Sequence, residues 1–218
     1  MHSGVESPYW PGYDGLALAL IDAIWSMGVY YGSVDHVVDN YRAWVAATYD
    51  TSAHERTGAE LMVDIAAVGG PDRFAESVVR NRQRTSSSGG ILKAVAVERA
   101  ARALADEGIT TTADLRDRAD SQSAMAAWLG VHGQSSGISW HYVLMNARVD
   151  DVKADRMIQR FVARSLGLRT VPSTVAYAEA VAAYNLLKSE AADLTRRALD
   201  HAIWRHESGR TRDVGSIS

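Results

Sequence analysis

The chain has no cysteine. This excludes structural disulfides, thiolate zinc sites and cysteine-held iron–sulfur clusters. Proline is scarce: only Pro8, Pro11, Pro71 and Pro172 occur in 218 residues. That scarcity, with abundant alanine, favours helix nearly throughout. No period-two alternation long enough for a strand appears, and no repeat at solenoid periods. No run of 18 apolar residues is free of charge, so no membrane span is expected. The opening MHSGVESPYWPGYDG has neither a basic start nor an apolar stretch. It does not read as a secretory signal, and a cytoplasmic location is the expectation. An excess of positive charge is also lacking: 23 Lys and Arg stand against 26 Asp and Glu, for a net charge of -3. A generic basic coat for nucleic acid is therefore excluded, and any such binding must come from local patches.

The catalogue of catalytic motifs is equally thin. The seven histidines make no HExxH arrangement, and there is no Walker loop and no GxGxxG. What is present is a 47% hydrophobic chain, enough for one substantial core or two lobes. Its apolar spacing of three and four predicts about ten short helices. Asp14 is placed to cap a helix carrying Leu16, Leu20, Ala23, Ile24 and Met27. A turn over 28–32 holds Tyr30 and Tyr31, and Ser33 then opens a helix to Tyr49. The spacing further predicts helices over 59–68, 72–82, 92–107, a segment capped by Thr111 or Thr112, 121–129, 138–148, 155–166, 173–188 and 190–207. Thr85 to Gly90 reads as a break.

The most informative stretch is VHGQSSGISWHYVLMNARVDDVKADRMIQRF, residues 131–161. A Gly/Ser-rich hairpin leads into an apolar helix, a charged turn follows, and Asp155 heads a basic amphipathic segment. Glycines at 133 and 137 permit close backbone approach and unusual angles. Turn N–H groups and the next helix N-terminus suit an anion such as phosphate. Read alone, the hairpin is equally an ordinary helix–helix turn, and Asp155 an N-cap on a surface helix.

Together these residues resemble the helix-hairpin-helix signature of the base-excision DNA glycosylase superfamily. The resemblance implies an all-α, two-lobed fold of the helix-hairpin-helix glycosylase kind, with a cleft between the lobes. Residues 14–149 would form a central helical lobe ending in the hairpin. Residues 150–218, with an N-terminal arm over 1–13, would form the second lobe and carry the catalytic candidate Asp155. By the same resemblance Gly133, Gln134, Ser135, Ser136, Gly137, Ser139 and Lys153 would hold the DNA backbone. His141 and Met145, on one helix face with Gly137, would line the base pocket. Tyr30, Tyr31 and Trp204 are candidates to stack on bases or fill the gap left by a flipped one. Core packing is the competing reading for Met145, Trp204 and at least one of the tyrosines.

The implied activity is hydrolysis of the N-glycosidic bond of a flipped, modified base in double-stranded DNA. Bifunctional relatives carry a Schiff-base lysine where Gly137 stands, and no lysine lies between Lys93 and Lys153. The expected activity is therefore monofunctional. No cofactor and no iron–sulfur cluster is implied, with only a monovalent cation at the hairpin left open. No protein partner is inferable. The alternative is a non-catalytic helix-hairpin-helix DNA-binding protein, and a third reading is a helical protein with no nucleic-acid role. Arg80, Arg82, Arg84, Lys93, Arg99 and Arg102, opposed only by Glu98 within 78–102, and Arg148, Arg156, Arg160, Arg164 and Arg169 around Asp155, are further candidate phosphate contacts.

Overall fold

The computed structural model describes residues 11–28 and 32–208, and the described residues are all-helical apart from one isolated bridge between Arg84 and Leu92. Tyr30, Tyr31 and residues 1–10 of the arm lie outside the described residues. The chain divides into two compact units, Met1–Val149 and Asp150–Ser218. No described helix is long and apolar enough to cross a membrane.

The first unit is built around α1 (Leu16–Trp25), of which all ten residues are buried. Its sequence LALALIDAIW is apolar on every side, as a helix surrounded by others requires. Around it pack α2 (Gly32–Tyr49), α3 (Gly58–Ala67), α5 (Lys93–Asp106) and α8 (Ile138–Asn146). Truncating a leucine such as Leu20, fully buried here, should cost about 2–5 kcal/mol. The one charged residue of α1, Asp22, accepts from Tyr13 Oη at 2.7 Å and Ser26 Oγ at 2.9 Å. Burial pushes its carboxyl above the usual carboxylate range, against the pull of those bonds. Tyr13 is itself part of this core, and its N–H donates to Asn146 O at 2.7 Å. The expectation that the arm to residue 13 belongs with the second lobe is thus corrected for its described end. A large aromatic with a polar tip is worth most where both can be satisfied.

Asp14 does not cap α1 as expected. The cap is Gly15, which offers no side-chain acceptor. A Cβ there would lie 2.7 Å from both His54 O and Arg56 O, so the helix start is pressed against that segment. Ala17 N–H donates instead to Arg56 O at 3.0 Å. Asp14 is released to pair with His54 Nε2 and Arg148 Nη1, each at 2.7 Å.

Where cap chemistry is complete, helix starts follow the sequence closely. Thr57 with Glu60, and Thr111 with Asp114, form reciprocal capping boxes that open α3 and α6 (Thr112–Asp117). The stretch 72–82 is not one helix. A short α4 (Pro71–Arg73) widens into a π turn over Phe74–Val78. Phe74, Ala75, Val78 and Val79 are all buried. Asn40 Nδ2 donates to Val79 O at 3.1 Å, and Arg80 turns left-handed at φ 51°. A tertiary partner therefore takes the carbonyl that a longer helix would need. Lys93 is not a surface cation: its ammonium is buried and donates to Trp25 O, Met27 O and Gln83 Oε1 at 2.9, 2.8 and 3.3 Å.

The second unit comprises α9 (Arg156–Ser165), α10 (Ser173–Lys188) and α11 (Arg196–Ser208), with α9 packed on both others. Its core is small: Val152, Ala154, Ile158, Val162, Ala163, Val171, Ala176, Ala180 and Ile203. The last helix begins at Arg196, later than the apolar spacing suggests. Thr195 Oγ1 takes Ala198 N–H at 3.0 Å, and Asp150 Oδ1 takes Arg197 N–H at 3.1 Å.

Candidate nucleic-acid interface

The hairpin joins α7 (Gln122–Leu129) to α8. Ser121 caps α7 through Ala124 N–H. Two successive turns follow: Gln134 N–H donates to Val131 O at 3.0 Å, and Gly137 N–H to Gln134 O at 3.1 Å. Gly133 and Gly137 are left-handed, at φ 88° and 75°. Gly137 is the N-cap of α8 and brings no side chain to it, while Ile138 N–H reaches Ser136 Oγ at 3.4 Å. Gly133 is also a close contact: a Cβ there would stand 2.5 Å from Thr85 Cβ. The two helices are clamped beneath the turn by Trp128 and Trp140, with ring centroids 6.0 Å apart.

Of the residues expected to hold a backbone, Gly133, Ser135 and Ser136 are exposed. Gln134, Gly137 and Ser139 are not: all three are buried. Ser139 Oγ accepts from Trp128 Nε1 at 3.0 Å, giving the buried indole its partner. Gln134 Oε1 and Thr85 Oγ1 are buried without a hydrogen-bond partner. Of the pocket candidates, His141 is half-buried and Met145 belongs to the buried set at 9% exposure.

The remaining candidates lie in the second unit. Asp155 is the N-cap of α9, and its Oδ1 accepts from Met157 N–H at 2.8 Å and Ile158 N–H at 3.2 Å. Lys153, expected to contact phosphate, is engaged by a carboxylate of its own unit. Its ammonium lies 2.7 Å from Asp200 Oδ2, and its own N–H donates to Asp200 Oδ1 at 3.0 Å. Burial raises the Asp200 carboxyl, and Lys153 opposes that rise. Trp204 is half-buried and stacks on His201, 6.0 Å between centroids, and burial lowers the His201 imidazole.

A family model described as a domain of unknown function, DUF8548, matches residues 5–208. The chain belongs to the DUF8548 family. No curated protein and no solved structure matches it.

The basic stretch 78–102 of this DUF8548 chain loses one cation to the interior on folding, while Arg80, Arg82, Arg84, Arg99 and Arg102 remain exposed. Lys93 is buried, Arg84 Nη1 donates to Gly90 O at 2.6 Å, Arg82 lies 3.5 Å from Asp72, and Arg102 lies 3.7 Å from Glu98. Two groupings escaped the sequence reading. One is the Asp14–His54–Arg148 cluster, close to an open depression of about 550 Å³ lined by Thr51, Ser52, His54, Glu55, Arg56 and Glu60. The other is Glu207 against Arg160 and Arg164. Neither has a local signal, because its members are brought together from distant parts of the chain. Arg56 is already committed: it pairs with the fully buried Asp64, which also accepts from Tyr41 Oη at 2.7 Å.

Proposed function

We propose that this chain grips nucleic-acid backbone through the 133–137 hairpin and releases a modified base as a monofunctional DNA glycosylase of two-lobed, helix-hairpin-helix kind. The observation that carries the reading is the hairpin itself. Two left-handed glycines shape a turn between α7 and α8, with Ser135 and Ser136 exposed at its tip. Such a turn can approach a phosphate closely without needing basic side chains. In this reading His141 and Met145 would touch the base. A monovalent cation at the hairpin is part of the resemblance, and Gln134 Oε1 is the orphaned oxygen there; no step depends on one.

The chemistry is assigned to Asp155. Its Oδ1 is occupied as a cap, so Oδ2 is the oxygen to act. As the C1′–N bond breaks, the bonding pair leaves with the base and C1′ acquires oxocarbenium character. A carboxylate stabilises that charge and orients the attacking water. Water supplies oxygen to C1′, and its proton compensates the departing base. A lyase step is not part of the reading. The lysines flanking the hairpin in sequence are both engaged, Lys93 by three acceptors and Lys153 by Asp200.

One observation favours the alternative, a non-catalytic DNA-binding protein: capping α9 is by itself a sufficient role for Asp155. Asp155→Asn separates the two, because Asn caps a helix about as well as Asp while lacking the charge. Duplexes carrying uracil, oxidised, alkylated or bulky modified bases would be incubated with each protein and then treated with alkali. Base release by wild type alone, with equal duplex binding and equal melting temperatures, supports the glycosylase. Binding without release on any of these duplexes supports the binding protein. No salt-dependent binding at all removes both.

A further inference from the structure

The positive charge of this acidic chain is unevenly placed. Residues 150–218 contain eleven Lys and Arg against nine Asp and Glu, whereas residues 1–149 contain twelve against seventeen. Along α9, Arg156, Arg160 and Arg164 recur every four residues, a step of about 6 Å along one edge. The other face of the helix is committed, with Ile158 and Val162 in the core. A row of arginines at this spacing is the charge pattern that fits a nucleic-acid backbone.

Two of the three arginines are already engaged from beneath. The Glu207 side chain of α11 is 1% exposed, while those of Arg160 and Arg164 are 61% and 58% exposed. Glu207 Oε1 accepts from Arg164 Nη2. Glu207 Oε2 lies 3.7 Å from Arg160 Nε, beyond hydrogen-bond reach, and is buried without a partner. His206 Nε2 stands 4.0 Å from Oε1. A buried carboxylate thus sits under two outward-facing guanidinium groups and is incompletely satisfied by them.

We propose that Glu207 acts as an internal competitor for phosphate, holding Arg160 and Arg164 so that this face of α9 binds a nucleic-acid backbone only weakly. The inference rests on the nucleic-acid reading above. A phosphate that drew both arginines away would leave Glu207 buried without a counter-charge, which is strongly unfavourable. The arginines therefore stay over the carboxylate, which offsets one of their two charges. Fewer counterions are then released when a duplex binds. With Gln at 207, volume and an acceptor oxygen remain but the competing charge is gone.

The test compares wild type, Glu207→Gln, and Glu207→Gln with Arg160→Gln and Arg164→Gln added. Each is titrated with an unmodified DNA duplex over a series of salt concentrations, and folding is followed by circular dichroism. Glu207→Gln should bind about tenfold tighter at low salt, with a log–log salt slope steeper by about one to two, since each added phosphate contact contributes about 0.9. Removing the two arginines should abolish that gain. A folded Glu207→Gln that binds no tighter than a wild type that does bind overturns the proposal and leaves the nucleic-acid reading standing. Failure of both to bind at low salt overturns the two together. Should Glu207→Gln fail to fold, Arg160→Gln/Arg164→Gln in the wild-type background decides. Masked arginines predict less than about twofold loss of affinity, and a large loss with retained fold overturns the proposal.

Discussion

Replacing Lys93 by Met would expose two opposing effects at one buried ammonium. The ammonium donates to two backbone carbonyls at the end of α1, Trp25 O and Met27 O, and to Gln83 Oε1. Met fills similar space but orphans all three, at about 1–3 kcal/mol per buried group. The variant should therefore be less stable at neutral pH. Burial acts the other way on the charge and lowers the Lys93 pKa to about 8. In the unfolded chain it returns to its ordinary value, about 10.4. Between these values the unfolded chain binds more protons than the folded one, so wild-type stability rises with pH across that window. From about pH 7 to about pH 9.5 the gain is about 2 kcal/mol. The Met variant lacks this term, so its deficit should widen by that amount. Urea unfolding of both proteins at both pH values measures it, and the difference cancels titrations they share. A deficit that stays constant with pH would show that the three acceptors fully compensate burial and would refute the argument.

Three further outcomes follow from the geometry. Gly133→Ala should cost more than about 2 kcal/mol, because a left-handed backbone is added to a clash with Thr85. Gly137→Ala, where the nearest atom is 3.9 Å away, should cost only about 1–2 kcal/mol from backbone angle; equal losses in urea unfolding would contradict the difference in space. Asp114 is held below the usual carboxylate range, first by the backbone N–H of Thr110 and then by Thr111. Its stabilisation is present above the ordinary carboxylate pKa and is lost as pH falls through its lowered one. Wild type should therefore lose part of its advantage over Asp114→Asn on acidification, read as converging melting temperatures.

The local devices of this chain are legible because they act within a few residues. Thr57-x-x-Glu60 and Thr111-x-x-Asp114 specify helix starts through bonds that close inside one turn. The start of α9 at Arg156 with Asp155 as cap follows in the same way. The hairpin is visible because glycine alone readily takes the angles found at 133 and 137. Residue types do not reveal what a polar side chain meets. Ser139 has the composition of a phosphate donor and instead serves a buried indole. Lys153 has the charge of a phosphate contact and is spent on Asp200. Asp14 sits where a cap belongs and pairs with residues 40 and 134 positions away.

The sequence by itself determined an all-α chain, because proline scarcity, alanine content and three-to-four apolar spacing are summed over short windows. It also determined where most helices begin and where the glycine hairpin lies. Only the tertiary structure decided which charges remain at the surface. Of the cations around residues 78–102 and 148–169, Lys93 and Lys153 are drawn inward, and Arg160 and Arg164 are held over Glu207. The reason is that an ion pair depends on separation in space. A carboxylate 43 or 47 positions along the chain is invisible to any local pattern until the helices that carry it have packed.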